Sequence, residues 1–193
     1  MDIYNRLSNL FIGGNKMFVF GYGSLINKSS LERTCPQSRL VSTAYLKGWR
    51  RHLNMPLIHS NNLYNGKFSH AFSIDRGSLN DRVNGVLIEV SPSELLELDK
   101  RESHYSRVDV ELFDSKTNQK LKDGIVFAVT EYEPTAVPWD HPFSKQYVET
   151  CLKGCLNFGT DYLNEFLKSS FDMDKPFSDI EEVDNILNSM ENH

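Results

Sequence analysis

Between positions 17 and 132 the chain carries a succession of short apolar stretches, at about 17–20, 40–53, 68–74, 83–90, 105–112 and 124–132, separated by turn-forming residues. Runs of this length, rich in β-branched and aromatic side chains, are the signature of strands rather than helices. In 105–112, Val108, Val110 and Leu112 alternate with polar residues, which predicts one buried and one wet face. Helix signals among these strands are few and do not alternate with them strictly. The fold class this dictates is α+β, with a mixed or antiparallel sheet that can curl toward a barrel.

The clearest helix start is Ser91-Pro92-Ser93-Glu94, with Ser at the cap, Pro in the first turn and Glu three residues after the Ser. Leu95, Leu96 and Leu98 cover one side of the helix that follows, so Glu102 falls at or just beyond its C-terminus, before the strand that begins near Ser106. Ser29 with Glu32 reads as a second capping box, and Ser178 with Glu181 as a third. From 144 to 171, Tyr147, Cys151, Cys155, Phe158, Tyr162 and Phe166 recur at three- and four-residue intervals, the pattern of a helix or helix pair interrupted at Gly159. Three segments are expected: an N-terminal arm over 1–16, a globular domain over 17–171, and an acidic C-terminal tail or helix over 172–193 whose Ile180, Val183, Ile186 and Leu187 form an apolar stripe.

With 193 residues, 39% of them apolar and 24% charged, the chain falls where one compact domain is expected. A net charge of -5 offers no basic surface for phosphates, which argues against nucleic acid and anionic membranes and leaves small molecules or proteins as partners. No apolar run approaches the roughly 20 residues that span a bilayer, and no secretory signal pattern opens the chain. Three cysteines, Cys35, Cys151 and Cys155, make an odd number without a disulfide framework; the expectation is buried thiols in a reducing, cytoplasmic compartment.

The loop after the first strand, Gly21-Tyr22-Gly23-Ser24-Leu25, fits no nucleotide or serine-hydrolase motif. Ile26 stands where a dinucleotide fingerprint needs its third glycine, and Ser24 lacks the flanking glycines of a nucleophile elbow. What such a loop can do is turn successive N–H groups around Tyr22, Gly23, Ser24 and Leu25 into a concave nest for a carboxylate or an oxyanion. Glu102, in Lys100-Arg101-Glu102, reads by itself as one member of a solvated charge cluster. Its place near a helix C-terminus and between two packed elements instead favours a raised pKa, which suits a general base or acid. His104 has no partner at ligand spacing and reads as a surface residue, so no metal is called for; Trp49 and Trp139 read as core or pocket lining.

Taken together, these residues resemble the gamma-glutamylcyclotransferase-like family in its bacterial-type form, which opens with Phe-Gly-Tyr-Gly-Ser-Leu, here Phe20 to Leu25. The resemblance runs through Ala44-Tyr45-Leu46-Lys47-Gly48-Trp49-Arg50-Arg51, positions 83–90, and Leu98-Asp99-Lys100-Arg101-Glu102 with Tyr105 and Arg107-Val108. It ends at Ser144, Tyr147, Gly154 and Gly159. It implies a small β-barrel flanked by helices, a substrate-binding loop at Tyr22, Gly23, Ser24 and Leu25, a proton-transfer role for Glu102 and a pocket role for Tyr147. It further implies a γ-glutamyl substrate cyclised to 5-oxoproline with no metal or organic cofactor. Ser103-His104 stands where small residues, often Gly-Gly, are usual, and Ile26-Asn27 departs from the glutathione-specific branch, so the leaving group stays open. A non-catalytic binding module on the same fold is the alternative.

Overall fold

The computed structural model describes residues 16–58, 63–129 and 133–191. In chain order the strands are β1 (Met17–Gly21), β2 (Arg39–Lys47), β3 (Trp49–Pro56), β4 (Leu63–Tyr64), β5 (Lys67–Phe68), β6 (His70–Arg76), β7 (Arg82–Val90), β8 (Ser106–Asp114), β9 (Lys120–Ala128), β10 (Ser170–Asp172) and β11 (Lys175–Pro176). The helices are α1 (Lys28–Glu32), α2 (Pro92–Arg101), α3 (Pro142–Leu156), α4 (Thr160–Lys168) and α5 (Glu181–Glu191). The expected N-terminal arm lies almost wholly outside the described residues.

β1, β7, β2, β8 and β9 close into a barrel in that order. Every neighbouring pair is antiparallel except β1 with β9, which meet parallel at Val19 and Ile125. β7 is buried along nearly its whole length, which is why its sequence reads as a continuous apolar run rather than an alternation. β8 keeps the alternation read from sequence, with Val110 and Leu112 inside and Asp109 and Glu111 outside.

The stretch 40–53 is two strands rather than one. Gly48, at φ 73°, adopts the left-handed conformation that a side chain resists, and its N–H donates to the Asp81 carbonyl at 2.7 Å. β2 stays in the barrel, while β3 leaves it for a second sheet ordered β11-β10-β3-β6. That departure carries Arg51 into the space between the two sheets.

Two of the expected caps are displaced. α1 is capped by Asn27, whose side-chain oxygen accepts from Ser30 N at 3.1 Å, because the turn before it places Asn27 rather than Ser29 at the first free N–H groups. In the tail, residues 177–179 form a 3-10 turn and α5 starts at Glu181; Ser178 donates to Asp179 instead of capping. The cap at Ser91 with Glu94 is present in full, and Gly159 separates α3 from α4. Phe177, Ile180, Val183 and Ile186 are buried in the same core as the barrel, with α5 against α3.

Candidate active site

β1 ends by delivering Tyr22 and Gly23 into a single 3-10 turn, Ser24–Ile26. As at the start of any helix, the first N–H groups of the turn lack intrahelical partners. Among the described residues the N–H groups of Gly23, Ser24 and Leu25 make no hydrogen bond, whereas Ile26 N closes on Gly23 O at 3.0 Å. The turn is pinned from behind by α3. Asn27 donates from its side chain to Thr150 O at 3.0 Å, and the helix backbone comes so close at Gly154 that a Cβ there would lie 2.6 Å from Asn27 N.

Glu102 reaches the same place from the C-terminal end of α2, just before β8. It caps the C-terminus of α2, its N–H donating to Leu98 O at 2.7 Å, and its side chain is 17% exposed. With Tyr22, Gly23, Ser24, Leu25, Phe72 and Tyr147 it lines an inner chamber of about 30 Å³, room for a water-sized group. The chamber continues into an outer cleft of about 620 Å³, with Ser24, Glu102, Tyr105 and Tyr147 in the lining of both. Burial pushes the Glu102 carboxyl above its ordinary pKa, against the opposing pull of the neighbouring Arg101 guanidinium.

Three tyrosines converge on the backbone of Phe72 in β6. Tyr105 donates to Phe72 O at 2.8 Å, Tyr147 Oη accepts from Phe72 N at 3.3 Å, and Tyr22, 3.5 Å from the same carbonyl, donates chiefly to Phe127 O at 2.8 Å. Tyr22 therefore contributes a buried wall rather than a free hydroxyl. Burial lifts the Tyr147 phenol well above its usual value, so its proton is retained. Tyr147 also dictates the residue opposite: a Cβ on Gly23 would sit 2.7 Å from its Oη. Gly23→Ala is accordingly expected to destabilise the fold by about 1–3 kcal/mol, as overpacking does. Adding Tyr147→Phe, which removes the clashing oxygen, should recover part of that loss in a urea-denaturation double-mutant cycle.

The sequence profile of the family described as gamma-glutamyl cyclotransferase, AIG2-like, matches residues 19–142, well over half of the chain. The chain belongs to this family. No curated protein matches it by sequence. Among solved structures it is similar to one described as gamma-glutamyl cyclotransferase, at a TM-score of 0.63 and 16% identity over 91% of this chain and 99% of the other. It is similar also to an uncharacterized protein from Homo sapiens, at 0.62 and 18% over 90% and 98%. A third is YkqA from Bacillus subtilis, at 0.58 and 19% over 84% of this chain and 55% of that one. At these identities the structures establish the shared fold.

The family match covers the loop and Glu102 and stops at the first residue of α3, so Tyr147 is placed by geometry alone. Two residues that shape the site were not singled out from sequence. Arg101, read as part of a charge cluster, reaches Ser24 Oγ at 3.0 Å, Ser30 O at 2.8 Å, Thr34 Oγ1 at 3.0 Å and Glu102 Oε1 at 3.2 Å, tying the loop, α1 and the acid together. Arg51 is wholly buried and donates to Tyr22 O at 3.0 Å, directly behind the loop. The hints of the first were a cation in the last turn of α2 and its place in the segment Leu98 to Glu102 that carries the family resemblance. The second lies in the segment Ala44 to Arg51 that carries the family resemblance, but its neighbours Arg50 and His52 hide which of these side chains turns inward.

His104 is exposed at the rim of the outer cleft. Among the described residues no group of three or more His, Cys, Asp or Glu side chains is gathered as metal ligands would be. The three thiols are buried, and burial raises the pKa of each, that of Cys35 to about 11. Among the described residues no helix is long and apolar enough to cross a membrane.

Proposed function

We propose that the chain cyclises γ-glutamyl amides or peptides, releasing 5-oxoproline and a free amine or amino acid. The observation that carries the reading is a carboxyl group with a raised pKa and a turn of free N–H groups lining one chamber, although about eighty positions separate them in sequence.

The substrate's α-amino nitrogen attacks its own γ-carbonyl carbon; a C–N bond forms to close the five-membered ring, and the original amide C–N bond breaks. Across the reaction the attacking nitrogen goes from three protons to one, and the leaving nitrogen from one to three. A base that takes protons from the first and returns them to the second is required, and Glu102 is assigned that task. The N–H groups of Gly23, Ser24 and Leu25 face the substrate's α-carboxylate or the oxyanion of the tetrahedral intermediate. Tyr22, Leu25 and Tyr147 act as the walls that hold the chain folded, so that attack is intramolecular and oriented. No water enters the products.

The test is a panel of γ-glutamyl dipeptides, glutathione and γ-glutamylamines, each assayed for 5-oxoproline. At least one member should turn over, and kcat/KM should fall on acidification through an acid limb lying above the ordinary glutamate value of roughly 4.3. Binding of 5-oxoproline with no turnover of any member would make the chain a binding module on the family fold.

A further inference from the structure

The outer cleft is the space into which the leaving group must extend, because the inner chamber, at about 30 Å³, is far smaller than the 620 Å³ beyond it. The charged lining of that cleft is one-sided. The guanidinium and carboxyl side chains of the lining are Arg33, Arg101 and Glu102, and Glu102 is the only acidic residue among the described lining residues. Glu102 already faces Arg101 at 3.2 Å and belongs to the reacting end. Burial lowers the pKa of His70, which leaves its imidazole neutral.

Arg33 is different from Arg101. It follows the last residue of the short helix α1, is exposed, and among the described residues its guanidinium forms no ion pair or hydrogen bond. Five N–H donors thus line the cleft with no anion among the described residues to meet them. The Ser69 hydroxyl, buried in the same lining, is likewise without an acceptor among the described residues.

Resting on the cyclotransferase reading above, we infer that the leaving group carries a carboxylate, and that Arg33 is the residue that selects it. A cationic leaving group would enter a cleft with two guanidinium groups and no free carboxylate, whereas an anionic one would meet an unpaired guanidinium able to bind it through two parallel hydrogen bonds. The class of preferred substrate is a γ-glutamyl amino acid or peptide with a free C-terminus, not a γ-glutamyl polyamine.

The test uses three substrates that share the γ-glutamyl group: γ-glutamyl-alanine, its neutral C-terminal amide, and the γ-glutamyl derivative of ethylenediamine. Wild-type kcat/KM should rank acid first, amide second and cation last, with acid over amide by about five- to tenfold, the range for a charged contact that is partly exposed. Arg33→Gln should lower that ratio to near one, and Arg33→Glu should bring the cationic substrate above the acid. The ratio is internal to each protein, so a partly folded variant leaves it readable. Equal rates on acid and amide in the wild type, or an unchanged ratio in Arg33→Gln, would overturn the inference while leaving the cyclotransferase reading standing. If no substrate yields 5-oxoproline, that reading falls and this one with it.

Discussion

Replacing Glu102 with Gln is expected to lower kcat for 5-oxoproline formation by about 100- to 10,000-fold, the contribution of a positioned general acid–base group. Gln preserves the shape and can still accept from Arg101, so binding of 5-oxoproline should survive while turnover is lost. The same substitution has an expected stability effect of opposite sign. Burial raises the folded-state pKa of Glu102 above its unfolded value, so the folded state holds that proton more tightly. Stability from this group is full below the unfolded pKa and is lost as pH rises through the folded one. Above the folded pKa the wild type therefore carries the cost of ionising a buried carboxyl group, and there Glu102→Gln should melt higher than wild type, the gap closing as pH falls toward the ordinary glutamate value. A Gln variant that forms 5-oxoproline at the wild-type rate would remove Glu102 from the mechanism.

The second large effect is on the fold that holds the loop in place. Arg51 is 0% exposed and donates to Tyr22 O, Asn84 O, Asn84 Oδ1, Phe166 O, Ser169 Oγ and Ser170 Oγ, at distances from 2.7 to 3.2 Å. None of these partners is a carboxylate. The charge is offset by carbonyl dipoles, including one at the end of α4, and by the Phe166 ring 3.6 Å from the guanidinium carbon. Burial lowers its pKa to about 10, yet it stays protonated at neutral pH. Arg51→Met fills much of the volume but strands several buried acceptors, each costing roughly 1–3 kcal/mol when left unpaired. A loss of about 3 kcal/mol or more in urea denaturation is expected at unchanged m-value. Arg51→Lys, which keeps the charge but not the fork of donors, should recover only a fraction. A loss below about 1 kcal/mol would show that these carbonyls find other partners and that the guanidinium does not organise the loop.

Much of the site could be read from residue order because its parts are local. The loop declares itself through glycines that end a strand, and Glu102 through a helix whose start is unmistakable and whose length follows from three leucines. The strands of the barrel were legible where burial is simple, as in the continuous apolar run of β7 and the alternation of β8. The tail's stripe of Ile180, Val183 and Ile186 read as an amphipathic helix that either packs or frays, and in the structure the stripe lies in the core.

Where reading failed, the missing information was distant. The stretch 40–53 has uniform β character, and only the turn at Gly48, held by a carbonyl some thirty positions on at Asp81, sends its second half to another sheet. Asn27 displaced Ser29 as a cap because α3 grips its side chain from Thr150.

What the linear order of residues determined by itself is most of the long elements, the chemistry each can offer and the family to which they belong, since propensity, capping and periodicity act over a few residues. Only the tertiary structure decided which groups share a cavity. Barrel closure brings a helix C-terminus to a glycine turn, and burial then raises one carboxyl, silences one tyrosine hydroxyl and hides one arginine. Desolvation and hydrogen bonding depend on every neighbour in space, and neighbours in space are what a chain acquires by folding.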